Sequence, residues 1–257
     1  MNGTCTNCSN TLTGKYCSNC GQDAHIGRLT LHELLHDLWH YFTHTDKGVL
    51  RLLKDLTLHP RSVYENYFQG QRKKYFSPVV FFLVAAGLLA WLYPHVFEYQ
   101  NKINHLNDEF GEEIAHQGKY RALALLPFEA LLTWLFFFRR FNLAETTVFW
   151  LYVTGFTSTI KLVFLPIYWP MILHKGGLDV FFDYLTLAIG LLHGILVFGR
   201  SSLYNTFLIV LVVNICFMFD LWTQLFVLYE KFGKEVWDLA GIHSVWDFIK
   251  FRYLFWN

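Results

Sequence analysis

The four cysteines near the N-terminus form two pairs with the spacing of a metal site. Two residues separate Cys5 from Cys8 and Cys17 from Cys20, and eight residues lie between the pairs. Each pair can hold one side of a tetrahedral ion. Zn²⁺ suits four thiolates because these soft ligands close the site, and because the metal supplies folding energy that so short a segment cannot obtain from a core. We therefore predict a zinc ribbon with one structural Zn²⁺ per chain.

Redox chemistry is the alternative for the same cysteines. It is less favoured because no surrounding pattern of strand and helix would depress a thiol pKa. The fifth cysteine, Cys216, is isolated in an apolar stretch, so the set does not indicate a disulfide framework. A closed site of four thiolates leaves no position for a reacting water, which favours a structural or adhesive role over catalysis.

A second chemical pattern is His32-Glu33-Leu34-Leu35-His36, which matches the zinc-protease motif His-Glu-x-x-His. On a helix it would place two histidine ligands on one face, with Glu33 as general base. The alternative is a capping box, in which Thr30 caps the helix and Glu33 closes the box. The motif lies outside the apolar stretches and its spacing defines no third ligand, so capping is favoured. A membrane zinc metalloprotease stays the minority hypothesis, and metal binding by this motif stays open.

The elements that must position these groups are mostly membrane helices. Hydrophobic residues make up 54% of the chain and charged residues 16%, against about a quarter in soluble domains. A bilayer core of about 30 Å needs about 20 helical residues. Apolar stretches that approach this length lie near 79–97, 122–138, 147–169, 178–198 and 203–228. We predict an all-α polytopic membrane protein with about five transmembrane helices.

The same pattern divides the chain into four parts. They are a zinc-ribbon module (1–24), amphipathic juxtamembrane helices (28–77), a transmembrane bundle (78–230) and an interfacial C-terminal tail (231–257). The net charge of +1 gives no reason to expect nucleic acid as a partner.

Charge around the apolar stretches predicts the orientation. Basic residues precede the first stretch and follow the second and fourth, whereas acidic residues fill the loop between the first two. The first twenty residues show no signal peptide. We expect a cytoplasmic N-terminus, an external C-terminus and a location in the bacterial inner membrane.

The juxtamembrane segment mixes apolar and basic residues and is expected to lie on the anionic inner leaflet. Pro60 is expected to end one helix, Gly70 to end the next and Pro78 to open the first span. The side chains expected to bind the membrane surface are Arg61, Arg72, Lys73 and Lys74.

Polar residues also fall within or near the ends of the apolar stretches, where charge is costly and usually faces other helices or a wet cavity. They are Glu129, Lys161, Asp183, His193 and Asp220. Lys161 could pair with Asp183 or with Asp220, and Gly190-x-x-x-Gly194 permits close helix approach. A structural polar clamp is favoured over an ion or solute route, and a small transporter or channel subunit is the alternative.

The chain resembles a family of bacterial membrane proteins known as a domain of unknown function (family 3667). The matching residues are Cys5, Cys8, Tyr16, Cys17, Cys20, Gly21 and Gln22, then Arg28, Asp46, Leu53, Pro60, Tyr67, Gly70, Arg72, Tyr75 and Pro78, with a looser similarity from Glu145 to Phe156. The resemblance implies a cytoplasmic-membrane protein with an N-terminal zinc ribbon and brings no assigned reaction.

These observations favour a membrane scaffold, assembly or interaction protein over an enzyme. The expected partners are the lipid bilayer and another protein at the cytoplasmic face, and oligomerisation stays open.

Overall fold

A computed structural model describes residues 3–25, 27–34, 48–103, 109–168 and 177–239 of the chain. It consists of a small cysteine-containing head (residues 3–25 and 27–34), two short helices and a helical bundle. In the head, strands β1 (Gly3–Thr4) and β2 (Thr11–Leu12) pair antiparallel, with Gly3 opposite Leu12.

Two short helices, α1 (Gly48–Leu58) and α2 (Pro60–Phe68), connect the head to the bundle, and a 3-10 turn follows at Arg72–Lys74. Pro60 occupies the first turn of α2, where a missing backbone N–H costs nothing. Gly70 has a φ of 96°, which favours glycine and reverses the chain after α2. The expectations for both residues are confirmed.

The bundle contains five helices in the described residues. They are α3 (Pro78–Ile103), α4 (Glu109–Phe137), α5 (Leu143–Tyr168), α6 (Gly177–Val197) and α7 (Leu203–Leu239). Pro78 opens α3, as expected. Helix α7 runs to Leu239 and so continues past residue 230, the predicted end of the bundle. Residues 240–257 of the predicted tail lie outside the described residues.

Among the described residues, four helical segments are long and apolar enough to cross a membrane. These are Arg72–Tyr99, Tyr120–Phe137, Leu143–Pro166 and Leu203–Lys231. The apolar part of α6, Phe181–Val197, is shorter. Four of the five predicted spans therefore reach crossing length by this measure.

Helix α5 is the centre of the bundle, because it packs against α3, α4 and α6 and is the most buried of the four long segments. Its first half inserts the fully buried side chains of Phe149 and Tyr152 into the core. Close approach to α3 is possible at Gly155, where a side chain would collide with Phe81.

The amphipathic helix α2 is part of this core. Tyr64 and Tyr67 are fully buried, and Tyr67 packs edge-on against Tyr152 of α5, with ring centroids 5.8 Å apart. Burial raises the pKa of the Tyr64 hydroxyl. The apolar face of α2 therefore packs on protein, and the expectation that this segment lies on the leaflet applies at most to its outer side.

Substitution of Gly155 tests the close packing of α3 on α5. A Cβ at this position would lie 2.6 Å from Phe81 Cδ1 and 3.3 Å from the Phe82 backbone. We expect Gly155→Ala to lower the free energy of unfolding by about 1–3 kcal/mol, because one element must shift. The matched control is Gly87→Ala on α3, where a Cβ meets nothing within 4 Å. Thermal unfolding in detergent should show unchanged or higher stability for the control, and equal stability of both variants would contradict this packing.

Candidate metal centre and polar cavity

The head brings its four cysteines together as a candidate metal centre. One sulfur atom from each of Cys5, Cys8, Cys17 and Cys20 lies within 4.8 Å of the other three. The Sγ atoms of Cys5 and Cys20 are 3.6 Å apart, and those of Cys8 and Cys17 are 3.5 Å apart. Tetrahedral bonds of about 2.3 Å to zinc would place sulfurs about 3.8 Å apart. The four thiols could therefore hold a metal ion with little rearrangement.

Two turns of the same construction position the two cysteine pairs. Cys5 N–H donates to Asn10 O, and Ser9 N–H donates back to Cys5 O, at 2.8 and 2.9 Å. The second turn repeats both bonds at the same spacing, from Cys17 N–H to Gln22 O and from Gly21 N–H to Cys17 O. Ser9 and Gly21 both have positive φ, which turns the chain back toward its paired cysteine. The sequence spacing therefore produces two equivalent half-sites.

Backbone donors and burial act on these thiols in opposite directions. The Asn10 backbone N–H lowers the pKa of Cys8 to about 6, whereas burial raises the pKa of Cys20 to about 11. The local hydrogen bonds therefore favour the thiolate form of Cys8. A bound cation would favour the thiolate form of all four ligands.

The head is attached to the juxtamembrane turn through Gln22 and Arg72. The buried Gln22 side chain donates to Thr6 Oγ1 at 2.7 Å and accepts from the Lys73 backbone N–H at 3.4 Å. Arg72 donates to Gly27 O at 3.0 Å and lies 3.2 Å from a Glu33 carboxylate oxygen.

Arg28 provides the second attachment, to the start of α5. Its guanidinium makes a bidentate contact with Glu145, at 3.2 and 2.9 Å, and also donates to Arg140 O. Glu145 is buried and completes a reciprocal capping box with Asn142, with 2.8 Å in both directions. The hydrogen bonds that Arg28 donates to the Glu145 carboxylate raise the pKa of Arg28. The Asn142 side chain also donates to Leu29 O at 2.7 Å.

Sequence reasoning did not assign roles to Arg28 and Glu145. A signal was present, since Arg28 belongs to the residues that carry the family resemblance and Asn142-x-x-Glu145 has the spacing of a capping box. What the sequence did not show is that the two residues meet.

Glu33 of the His-Glu-x-x-His motif forms a capping box with Thr30 at the start of the helix. Glu33 accepts from the Thr30 backbone N–H at 2.9 Å, and Glu33 N–H donates to Thr30 Oγ1 at 3.3 Å, which confirms the capping prediction. Burial raises the pKa of Glu33, but the Thr30 hydrogen bonds and the Arg72 charge outweigh it and lower the pKa. A carboxylate held in this way is a poor general base. His36 lies outside the described residues.

The four basic residues expected at the membrane surface have different environments. Arg61 forms an ion pair with Glu65 on the same helix, and Lys74 lies with its ammonium 5.4 Å from the Tyr75 ring centre. Lys73 is exposed, whereas the Arg72 side chain is only 12% exposed and is engaged with the head. Membrane-surface binding by this set stays a prediction, and the contacts of Arg72 give it a role in docking.

A partly open cavity of about 230 Å³ lies between α3, α4, α5, α6 and α7. Four of the five predicted intramembrane polar residues line it, namely Glu129, Lys161, Asp183 and Asp220. The fifth, His193, lies elsewhere, where its Nδ1 is 3.0 Å from the Tyr64 hydroxyl and its ring stacks on Phe156.

The charges at the cavity form two ion pairs. Lys161 Nζ lies 3.8 Å from Asp183 Oδ1, which is the first of the two pairings considered. Asp220 is instead held by Arg121, through bonds of 2.7 and 2.9 Å. The sequence did not indicate a role for Arg121 inside the bundle, because this residue lies at the edge of the second apolar stretch and resembles a charge that flanks a membrane span.

The close helix contact predicted from Gly190-x-x-x-Gly194 is also present. A Cβ at Gly194 would lie 2.8 Å from Ile209 Cγ1 of α7, and one at Gly190 would lie 3.5 Å from Val213. The two glycines let α6 approach α7 beside the cavity, as the small-residue spacing predicts.

Comparison with known proteins gives one family match. Residues 46–89 match a family described as "Protein of unknown function (DUF3667)", which confirms the resemblance for this part of the chain. The matched segment covers α1, α2, the 3-10 turn and the first part of α3. No curated protein and no solved structure matches the chain.

Metal analysis of purified protein tests the candidate centre. We expect one Zn²⁺ per chain, and we expect Cys17→Ser with Cys20→Ser to remove it and unfold only the head, because a site of this kind obtains its fold from the metal. Elemental analysis and circular dichroism would follow metal content and helicity. His32→Ala is the control and should leave the count unchanged. A second zinc that disappears with His32→Ala would contradict the capping interpretation and would support the zinc-protease hypothesis.

Proposed function

We propose that this chain is an interaction protein of the bacterial inner membrane that presents a zinc-bound head to a partner protein at the cytoplasmic surface. The observation that carries the proposal is the docking of the head on the bundle through Arg28 and Glu145. A module that is fixed in this way presents its outer surface at a constant position relative to the membrane.

Zinc is the metal that best fits the ligand set. The centre offers four cysteine sulfurs, and structural zinc sites commonly use four thiolates in tetrahedral geometry. Since such a site has no open position, the metal would stabilise the head and leave binding to the head's surface.

The exposed surface of the head suits protein contact. Its outward residues are mainly small and polar, and Tyr16 stands out because its side chain is 56% exposed. The Lys15 ammonium lies 5.5 Å from the Tyr16 ring centre. Tyrosine is enriched among the residues that dominate binding energy at protein interfaces. We take Tyr16 as the anchor for the partner.

Basic residues support a cytoplasmic position for the head. Arg140, whose carbonyl accepts from Arg28, lies beside Arg139 in the connection between α4 and α5, and Arg200 lies in the connection between α6 and α7. Arg51 and Lys54 on α1 are exposed as well. Basic connections on one side favour the cytoplasm.

Helix α6 is proposed as a fifth crossing despite its shorter apolar part. It contains 21 residues, which corresponds to about 31 Å of helix and to the thickness of a bilayer core. Two separate parts of α6 contact the rest of the protein. Asp183 in its first half pairs with Lys161 of α5, and His193 near its end pairs with Tyr64 of α2.

Reporter fusions test this topology. A reporter before Met1 should be active in the cytoplasm, and one after Asn257 should be active outside, because five crossings separate the termini. Paired cytoplasmic and external reporters at each end provide the measurement. Activity of both ends on the same side would show that α6 does not cross and would contradict the five-span arrangement.

Removal of the docking contact tests the interaction function. Arg28→Glu places two carboxylates together, so we expect faster hydrogen exchange in residues 27–34 and loss of a stoichiometric partner from native membranes, with zinc content unchanged. Tyr16→Ala should lose the same partner without faster exchange. Arg51→Glu is the control, because Arg51 is exposed and makes no ion pair among the described residues.

The proposal fails if the wild-type protein purifies without a partner. It also fails if the partner is retained equally by Arg28→Glu and Tyr16→Ala, because binding would then not depend on the head.

A further inference from the structure

The cavity inside the bundle contains one acidic group more than its bases can pair. Arg121 and Lys161 supply two positive charges, and their nearest partners Asp220 and Asp183 supply two negative ones. Glu129 lines the same cavity from α4 and has no hydrogen-bond or ion-pair partner for its carboxylate among the described residues. Each ion pair is therefore neutral in itself, and Glu129 is left as the surplus acidic group.

An unpaired carboxylate inside a membrane protein is costly unless something compensates it. Arg121 cannot do so fully, because both arms of its contact are used by Asp220. Asp220 is also tied to the Gln224 amide at 3.2 Å, so its position is fixed from both sides. The compensation for Glu129 must come from a proton or from a cation that enters the cavity.

The walls of the cavity indicate which kind of cation fits. Aromatic residues from four helices line it, namely Tyr93 on α3, Trp150 on α5, Phe182 on α6 and Phe217 on α7. Aromatic faces attract ammonium groups and also bury apolar carbon. A bare metal ion would instead need several oxygen ligands, and two of the three carboxylates at the cavity, Asp183 and Asp220, are already paired with bases.

Volume limits the size of the ligand. The cavity of about 230 Å³ is smaller than the range of about 300–1,000 Å³ typical of drug-sized ligands. A compact molecule with one ring and a short amine would fill it.

We infer that this cavity is a binding site for a small aromatic or aliphatic monoammonium cation, with Glu129 as its counter-ion. The cation would contact the Glu129 carboxylate at one end and the aromatic walls along its apolar part. The two ion pairs would border the site, but because each pair is neutral they would not compensate the charge of the ligand or of Glu129. This site is separate from the head and does not depend on the proposed partner interaction.

The test compares three probes of one shape and different charge. 2-Phenylethylammonium, 2-phenylethanol and phenylacetate are titrated into the full chain in lipid nanodiscs, and binding is followed by calorimetry at neutral pH. We expect the ammonium to bind at least about tenfold more tightly than the other two, which corresponds to a single added charge interaction. Equal binding of ammonium and alcohol, tighter binding of phenylacetate, or no ammonium binding at about 10 mM would overturn the inference.

Substitutions locate the site. Glu129→Gln keeps the shape and removes the charge, so it should abolish the preference for the ammonium. Glu65→Gln is the control, because it removes a carboxylate that pairs with Arg61 outside the cavity and should leave the preference unchanged. A preference that persists in Glu129→Gln would overturn the inference.

A further variant keeps the test decisive if Glu129→Gln does not fold. Ala90 lines the cavity on α3, and Ala90→Leu adds bulk there without altering any charge. We expect it to weaken ammonium binding by at least about tenfold. Unchanged binding would place the ligand elsewhere and overturn the assignment.

Discussion

The contact between Arg28 and the buried Glu145 is the interaction on which the docking of the head against the bundle depends. Glu145 caps the start of α5 through Asn142, and the same carboxylate receives both arms of the Arg28 guanidinium. A charged group that is buried needs a partner, because an uncompensated charge in a low-dielectric interior is strongly destabilising. Arg28 meets that need and in doing so fixes the head against the central helix of the bundle.

The same constraint governs the charges inside the bundle. Asp220 is satisfied by Arg121, and Asp183 lies near Lys161, so each acid that α6 or α7 contributes to the cavity faces a base from α4 or α5. The pair of Arg121 with Asp220 joins helices distant in sequence, and that of Lys161 with Asp183 joins two consecutive helices. Both pairs explain why charge is tolerated at this depth. Glu129 departs from the rule among the described residues, and for that reason it is the group that points to a ligand.

Local chemistry in this chain could be predicted from sequence, whereas long-range pairing could not. The cysteine spacing, the Thr30–Glu33 box and the positions of Pro60, Gly70 and Pro78 each depend on residues a few positions apart. Arg121 and Asp220 are 99 residues apart, and Arg28 and Glu145 are 117 apart. Nothing in the local pattern shows that such residues meet. For the same reason α2 has an amphipathic pattern suited to a membrane surface, and only the fold shows that Tyr64 and Tyr67 pack on protein.

The head and the cavity both contact α5, but we expect that undocking of the head leaves the cavity intact. Glu145 near the start of the helix and Lys161 are 16 residues apart, which corresponds to about 24 Å of helix. The Asn142–Glu145 box does not include Arg28, so the start of α5 stays capped when the head is undocked, and a capping interaction of this kind contributes on the order of 1 kcal/mol. Packing against α3, α4 and α6 then holds Lys161 and the cavity in place. Loss of the proposed zinc should therefore change what the head binds and leave the proposed ammonium binding intact, because the position of the cavity depends on helix packing and not on the metal.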